Sequence, residues 1–430
     1  MPESAFTMLE AAITANDAER VQAVLEQHPG LRASLDEALP SGAFGATPLL
    51  AAVYEKNRDM IKALLQAGAD INARSHWWAG SFGVLDNDSG LEEFLIARGA
   101  RVDAHAAARL GRLDRLEELL ASNPGLVHAR GGDGQTPLHF AANIQVADFL
   151  LAHGAVIDAE DIDHESTPAQ WMVRERQAVA RYLVGRGCRT DILMAAALGD
   201  LELVRHHLEA DPGCIRMSVS EAWFPKRNPS SGGTIYNWTL DSDKTAHLIA
   251  RAFGHEDVLA FLMARSPDEL KLALACELED EGLLADLLSR RPNLVEQLSP
   301  AELDKLPDAA RDSNRNAVRM MLAAGWPVDR RGHHHGETAL HWAAFHGNAA
   351  MVRDILLHGP DLTLRSLAYA GTALEWAMYG SVHGWHPERG DYGGVVQALL
   401  EAGATRPRVT DSLIASASVR AVLTDSGGAG

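Results

Sequence analysis

The residues that could carry chemistry in this 430-residue sequence are histidines and aromatic residues concentrated near its C-terminal end. Eight of the 19 histidines fall between His333 and His386, and the segment 381–386 reads Ser-Val-His-Gly-Trp-His. A His-x-x-His pair with a nearby aspartate could bind a metal ion, act in acid–base catalysis, contact a ligand or partner, or pack in a loop. The candidate catalytic residues are His346, His383, His386 and Asp391.

A second group of such residues is the acidic run 158–165, in which five carboxylates surround His164. Carboxylate oxygens can bind a divalent cation, or they can form a solvated turn. We interpret 158–165 as a solvated turn. The sequence therefore predicts no metal site, and we expect no cofactor.

Aromatic residues cluster in two further places. Trp77 and Trp78 lie in a Gly/Ser-rich loop within 74–90, where they could pack together or form a binding surface. The second cluster lies in an insertion at 216–243, whose run Thr234–Leu240 alternates as a strand would. This pattern predicts that the insertion forms an elongated β-hairpin or an ordered loop that projects from the rest of the chain.

The same insertion places Lys226 and Arg227 beside aromatic residues. Such a pair could hold an anionic or carboxylate group, and it could equally be an exposed turn. Standard enzyme motifs are missing from the sequence, including a phosphate-binding glycine loop, Cys-x-x-Cys, His-Glu-x-x-His and Gly-x-Ser-x-Gly. Their absence weakens every standard enzyme interpretation, and whether the protein is an enzyme stays open.

The elements that must position these residues repeat along the chain. Helix starts of the form Thr-(Pro/Ala) recur with a fixed period in the low thirties, and the longest interval between two of them, Thr245 to Thr338, spans three such periods. The six starting residues are Thr47, Thr136, Thr167, Thr245, Thr338 and Thr372. A period of this length with helix-turn-helix content is typical of a solenoid, in which each unit shelters the apolar face of the next.

The clearest single unit is Gly336–Asp361. Thr338 can cap a short helix over Ala339–Phe345, and Gly347 ends it by adopting the left-handed conformation. A second helix follows, with Met351, Val352, Ile355 and Leu356 on one apolar stripe. The unit is too small to bury that stripe alone and requires a copy on each side.

These units resemble the ankyrin repeat family, most closely at Gly134–Ala142 and Gly336–Ala344. The resemblance extends over about 12 to 13 repeats. It implies an all-α solenoid of helix-turn-helix units, with short β-hairpin fingers and one larger inserted hairpin or loop. It also places 158–165 in a hairpin between units, and His341 at a position where the family carries a hairpin-stabilising histidine.

The predicted organisation is a single ankyrin-repeat solenoid over 1–425, followed by a disordered tail at 426–430. Within the solenoid we expect four special segments. They are an N-terminal cap repeat at 4–35, the aromatic insertion at 216–243, a His/Trp-rich insertion at 380–394 and a C-terminal cap at 405–425.

In ankyrin repeats the hairpin tips and first helices line one concave groove, so the resemblance implies that the His/Trp-rich residues converge over two adjacent units. Trp171, Trp342 and Trp376 share one repeat position and are expected in the core between repeats. The candidate binding residues are Trp77, Trp78, Trp223, Lys226, Arg227, Tyr236, Trp238, His335, His346, Tyr379, His383, Trp385, His386 and Tyr392.

Charge and composition limit the partners. With 39 basic and 58 acidic residues the formal charge is −19, which argues against nucleic-acid and anionic-membrane binding. Three separated cysteines and the absence of a signal-like N-terminus fit a cytoplasmic monomer. The predicted function is binding of a partner protein through the concave face and inserted loops. The alternative is a small-molecule-binding protein or enzyme, with a pocket formed by the Trp/His-rich loops.

Overall fold

The computed structural model describes residues 4–410 and 412–424, so the predicted tail at 426–430 lies outside the described residues. Helices account for the regular structure, and within those ranges the strand-like content is one isolated antiparallel bridge between Ser218 and Thr245. The prediction of an all-α chain is confirmed. The predicted fingers are turns rather than paired strands. Within the same ranges, no helix has the length and apolar character that crossing a membrane requires.

Two compact units make up the chain, Met1–Val258 and Leu259–Gly430. The boundary falls inside the helix Glu256–Arg265. The single solenoid over 1–425 stays a prediction.

The first unit contains thirteen α-helices among its described residues, and a fourteenth crosses the boundary. They are α1 (Ala5–Thr14), α2 (Ala18–Gln27), α3 (Pro48–Tyr54), α4 (Arg58–Ala67), α5 (Glu92–Ile96), α6 (Ala104–Arg109), α7 (Leu113–Ser122), α8 (Ile144–Ala152), α9 (Pro168–Met172), α10 (Gln177–Gly185), α11 (Ile192–Leu198), α12 (Leu201–Ala210), α13 (Ala246–Ala252) and α14 (Glu256–Arg265). Short 3-10 turns cover Pro29–Ser34, Ala43–Gly45, Pro124–His128, Gly132–Gly134, Pro137–Phe140 and Pro212–Arg216.

The second unit contains ten further α-helices in the part of the chain that is described. They are α15 (Asp268–Glu277), α16 (Glu281–Arg290), α17 (Pro300–Leu303), α18 (Lys305–Arg311), α19 (Arg315–Ala324), α20 (Ala339–Phe345), α21 (Ala349–Leu356), α22 (Ala373–His383), α23 (Tyr392–Glu401) and α24 (Ala417–Thr424). Two 3-10 turns cover Val295–Gln297 and Pro387–Arg389.

Successive helix pairs stack in chain order within each unit. In the second unit the first helices α18, α20 and α22 pack on one another, and so do the second helices α19, α21 and α23. Their apolar stripes form one continuous buried cluster that runs from Leu272 to Leu423. The predicted stripe of α21 is buried at Met351, Val352 and Ile355. Sequential packing of paired helices is the arrangement that the repeat pattern predicts.

A short loop, here called a finger, precedes each of the six motif threonines. The residue two positions before the threonine has a positive φ in all six fingers, whether or not it is glycine. These residues are Gly45, Gly134, Glu165, Asp243, Gly336 and Ala370. The finger is therefore a turn with one obligatory left-handed position, and the threonine that follows begins the first helix.

The insertion at 216–243 differs from its prediction. The strand expected over Thr234–Leu240 is wrong, because Asn237–Asp241 form a π-helical turn. The insertion also does not project: Gly232 N donates to Asp163 O at 3.0 Å, and Ile235 N donates to Ser166 Oγ at 3.0 Å. It is an ordered loop, as one of the two predicted forms was, but it folds back on the finger at 160–166.

The three other special segments, and also the loop at 74–90, depart locally from the regular helix pair. Residues 4–35 form α1, α2 and a 3-10 turn, and 74–90 contain no helix. The His/Trp-rich segment 380–394 contains the end of α22 up to His383, a 3-10 turn at Pro387–Arg389 and the start of α23 at Tyr392. The described part of the predicted C-terminal cap at 405–425 has the single helix α24.

Candidate functional site

A cleft of about 640 Å³ lies in the second unit between the first helices α20 and α22 and their fingers. Six of its lining residues are aromatic: Trp342, Phe345, Tyr369, Trp376, Tyr379 and Trp385. Four others can carry charge: His335, Arg365, Glu375 and His383. Apolar walls with a few polar groups are typical of a binding site.

Two buried tryptophans form the floor of this cleft. Trp342 and Trp376 each lie four residues after a motif threonine, and their rings meet almost perpendicularly at 5.2 Å. The indole of Trp342 donates to Glu337 Oε1 at 3.0 Å, and that of Trp376 donates to Ser366 Oγ at 3.2 Å. Both residues are buried between repeats, as predicted, and they also present ring edges to the cleft.

The carboxylate of Glu337 fixes one side of the floor. It is fully buried and accepts from the Trp342 indole and from the backbone N–H of His335, the latter at 2.7 Å. Burial alone would raise the pKa of Glu337, but these hydrogen bonds lower it below its ordinary value. The charged carboxylate thus holds both the finger and the indole in place.

Three exposed aromatic residues form the rim. The exposed fraction is 65% for Tyr369, 59% for Trp385 and 50% for Tyr379. Tyr369 packs on His335, with ring centroids 5.0 Å apart, because both lie three residues before a motif threonine on neighbouring fingers. The Trp385 ring contacts Trp342 at 5.7 Å. The rim therefore presents exposed rings to a partner above the buried tryptophans.

An ion pair crosses the finger side of the cleft. Arg365 Nη1 lies 3.1 Å from Glu375 Oε2, and that carboxylate also accepts from Thr372 N at 2.7 Å as part of a capping box. Both side chains are substantially exposed, so their attraction contributes little to stability. They remain available to a ligand.

The candidate catalytic residues do not assemble into one group. His346 is half-buried beside Trp342, and its Nε2 bonds to the carbonyl of Arg311 at 2.8 Å; burial lowers its pKa. His383 lines the cleft, whereas His386 is exposed near Glu388, and Asp391 caps α23 by accepting from Gly394 N at 2.8 Å. Among the described residues, no hydrogen bond joins any two of these four.

Other predicted binding residues are structural. Tyr392 is buried and donates to Phe345 O at 2.9 Å. Tyr236 is buried and donates to Asp191 Oδ2 at 2.9 Å, and burial raises its pKa well above the ordinary value. Arg227 binds the carboxylates of Glu160 and Glu165. These two ion pairs hold the insertion against the segment that contains Glu160 and Glu165.

The remaining candidates lie on the first unit. Trp77 is partly buried and donates to Asp133 Oδ1 at 3.0 Å, while Trp78 beside it is exposed. Trp223 and Trp238 of the insertion are exposed, and Lys226 lies 3.4 Å from Glu221. These residues are placed in a different compact unit from the cleft.

Sequence reasoning did not select Tyr369, Arg365 or Glu375 as binding residues. A signal for Tyr369 was present, since it lies one full period after His335 at the same repeat position. Arg365 and Glu375 had none, because their pairing depends on how the finger turns back on α22.

Three sequence models of ankyrin repeats match this chain. One described as a single ankyrin repeat matches residues 44–76, a three-copy model matches 104–194, and a model of many copies matches 306–356. Among solved structures, the human ASB11 ankyrin repeat domain is similar at 18% sequence identity, covering 72% of this chain and 100% of that one. The TM-score of that comparison is 0.27, too low to support a conclusion.

The sequence matches fall in both units and coincide with stacked helix pairs, capping threonines and fingers. The chain contains ankyrin repeats, which these models place within residues 44–76, 104–194 and 306–356.

Proposed function

We propose that this protein binds a partner protein, and that the aromatic cleft between α20 and α22 receives an anchoring side chain of that partner. Ankyrin repeats generally serve as protein–protein interaction modules. The observation that supports this particular surface is the cleft's rim of three exposed aromatic rings above a buried tryptophan floor.

Exposed tyrosine and tryptophan are the residues that dominate binding free energies at protein interfaces. Tyr379 and Trp385 each bury a large apolar area when a partner covers them, and they lose little conformational entropy because they have only two side-chain torsions. The floor below is held rigid by Glu337 and Ser366. Such pre-organisation leaves more of the contact energy for binding.

A photo-cross-linking amino acid at Tyr369 tests the proposal. We expect p-benzoylphenylalanine at this position to cross-link one defined protein, with excess unlabelled wild-type chain competing for it. Leu357 is the matched control, because it is 85% exposed in the same unit but does not line the cleft.

Trp385→Ala and Tyr379→Ala should then weaken binding of the identified partner. An interface anchor contributes about 2 kcal/mol or more, which is about a 30-fold increase in Kd. Because both side chains are at least half exposed, the thermal midpoint should change little. Equal labelling from position 357, or unchanged affinity in both variants, would exclude the cleft as the partner site.

A small-molecule ligand is the second candidate, favoured by the size of the cleft. Its volume of about 640 Å³ lies within the range of pockets that enclose drug-sized ligands. Native mass spectrometry of the purified protein distinguishes the two functions. A bound mass that disappears in Trp385→Ala supports the small molecule, and an unliganded chain that still cross-links through position 369 supports the protein partner.

A further inference from the structure

Three buried ionisable side chains meet at the tips of two neighbouring fingers in the first unit. Asp133 lies on the finger before Thr136, and Asp163 and His164 lie on the finger before Thr167. The two fingers are joined because Ile162 N and Asp163 N both donate to Asp133 O, at 2.8 and 3.1 Å. The spacing of one repeat places Asp133 and His164 at equivalent positions, side by side.

One atom from each side chain faces a common centre. His164 Nε2 lies 3.7 Å from Asp163 Oδ2 and 3.9 Å from Asp133 Oδ2, and the three atoms all lie within 4.8 Å of one another. Ligands about 2.0–2.2 Å from a tetrahedral metal ion lie about 3.3–3.6 Å apart, so a small inward movement brings these atoms to ligand positions.

The other imidazole nitrogen determines which form His164 adopts. Nδ1 lies 3.0 Å from the carbonyl oxygen of Gly233, which can only accept a hydrogen bond. Nδ1 therefore carries a proton, and in the neutral ring the lone pair of Nε2 faces the two carboxylates. A histidine oriented by a backbone carbonyl in this way is the usual arrangement behind a metal ligand.

The carboxylates are oriented in the same manner. Oδ1 of Asp133 accepts from the Trp77 indole at 3.0 Å, and Oδ1 of Asp163 accepts from Gly232 N at 3.0 Å. Each aspartate thus has one oxygen held by a neighbour and the other directed to the centre. Asp161 differs, since both of its oxygens accept hydrogen bonds from His164 N, Ser166 N and the Trp171 indole.

The three residues are more than nine-tenths buried, with 5–8% of their surface exposed. Two carboxylates and a lone pair facing one another at this burial are unfavourable unless a cation or a proton lies between them. A protonated imidazole would supply one, but its N–H would draw an oxygen to about 2.7–2.9 Å, and neither oxygen lies closer than 3.7 Å. The separations instead match three ligands around a shared cation.

We propose that Asp133, Asp163 and His164 bind one divalent first-row transition-metal ion such as Zn²⁺ or Mn²⁺. The imidazole nitrogen favours this class over Ca²⁺ and Mg²⁺, which prefer oxygen ligands alone. Three protein ligands leave at least one coordination position for water or for a group from a partner.

Residues of the insertion orient two of the three proposed ligands. Gly233 O orients the His164 ring, Gly232 N holds Asp163, and the exposed ring of Trp238 covers His164 with centroids 4.7 Å apart. A Cβ at Gly232 would lie 3.0 Å from the imidazole, so a larger residue there would push the His164 ring away by a few tenths of an ångström. A loop from a distant part of the chain thus supplies the hydrogen bonds that orient two of the three ligands.

Isothermal titration of the full chain, treated with chelator and dialysed, with Zn²⁺ and separately with Mn²⁺ tests the site. We expect one ion per chain at micromolar affinity or better, and a loss of at least tenfold in Asp163→Asn and His164→Gln. His153→Gln is the control, because His153 is an exposed histidine of the same unit. This variant should bind the metal ion with wild-type affinity.

A second measurement keeps the test valid if a variant loses its fold. Crystals of the wild-type chain grown with Zn²⁺ should show an anomalous peak within about 2.3 Å of His164 Nε2. The proposal is overturned by the absence of that peak, by full binding in a folded Asp163→Asn variant, or by binding of Mg²⁺ or Ca²⁺ in place of Zn²⁺ and Mn²⁺.

Discussion

The imidazole of His341 ties one finger to the next. Its Nδ1 accepts from Thr338 N at 3.2 Å, so Nε2 carries the proton and donates to Gly371 O at 3.1 Å. His139 makes the equivalent bonds in the first unit, to Thr136 N and Ser166 O. Mainly through burial, the pKa of His341 falls from 6.5 to about 4 and that of His139 to about 3. Both histidines are therefore neutral in the folded protein at pH 7.

This neutral form predicts acid sensitivity. Between pH 7 and pH 4 the unfolded chain takes up a proton at His341 that the folded chain does not, so stability falls as the pH falls. For a shift from 6.5 to about 4, the loss between pH 7 and pH 5 is about 2 kcal/mol from this residue. Urea denaturation followed by circular dichroism at the two pH values measures it.

The chain itself offers the control substitution. Gln170 occupies the corresponding position after Thr167 and accepts from Thr167 N at 2.9 Å without titrating. His341→Gln should therefore cost about 1 kcal/mol at pH 7 through the lost bond to Gly371, while the decline toward pH 5 becomes shallower. An identical decline in variant and wild type would show that the acid sensitivity arises elsewhere.

At the level of helices and fingers, the left-handed position two residues before each threonine is occupied by glycine in some fingers and by other residues in others. The reason differs between Gly336 and Ala370. At Gly336 an added Cβ would lie 2.3 Å from Leu367 Cγ, on the following finger, so a side chain cannot be accommodated. Ala370 holds the same position on the last motif finger with a φ of 50°. Its Cβ is accepted, but the backbone strain of a left-handed alanine remains.

Replacing Ala370 by glycine should therefore stabilise the protein by about 0.5–1 kcal/mol, because glycine adopts positive φ without strain. Ala368→Gly is the matched control: this exposed alanine, on the same finger, is not among the residues of positive φ, so it should lose a few tenths of a kcal/mol or more. Thermal midpoints of the two variants give the comparison. A lower midpoint for Ala370→Gly than for Ala368→Gly would contradict the strain argument.

The sequence predicted those helices whose signals are local. The bounds of α20 agree with the predicted range, because a capping residue, an apolar stripe and a terminating turn all lie within one repeat. The conformation of the insertion could not be predicted in this way. Its hydrogen bonds join Gly232 to Asp163 and Ile235 to Ser166, 69 residues apart, and such contacts leave no periodic signal.

The candidate cleft was predictable to a similar degree. His335, Tyr379, His383 and Trp385 were selected by residue type and by the groove that the ankyrin resemblance implies, and all four line the cleft. Tyr392 and His346 were selected by the same reasoning, yet their side chains bond to backbone carbonyls of neighbouring helices. Residue type shows which side chains can bind, whereas their direction depends on how neighbouring helices pack.

For the whole molecule, the repeat pattern continues through Val258–Leu259, so it gave no indication of a division between two compact units. Stacked repeats gain stability from their nearest neighbours, and each unit has its own succession of packed pairs. Removing one full period should therefore leave the stacking intact. Residues 338–371 form such a period, and their deletion joins Glu337 directly to Thr372.

In this deletion variant Trp376 takes the place of Trp342 four residues after the threonine, where its indole can donate to Glu337. We expect a folded helical protein with a lower thermal midpoint, measured by circular dichroism. Deleting only 338–354, which is half of that period, removes α20 but leaves the end of α21 without its partner, and should unfold the second unit. If the two deletions were equally damaging, the second unit would depend on one indivisible core, and neighbouring repeats could not be exchanged as equivalent layers.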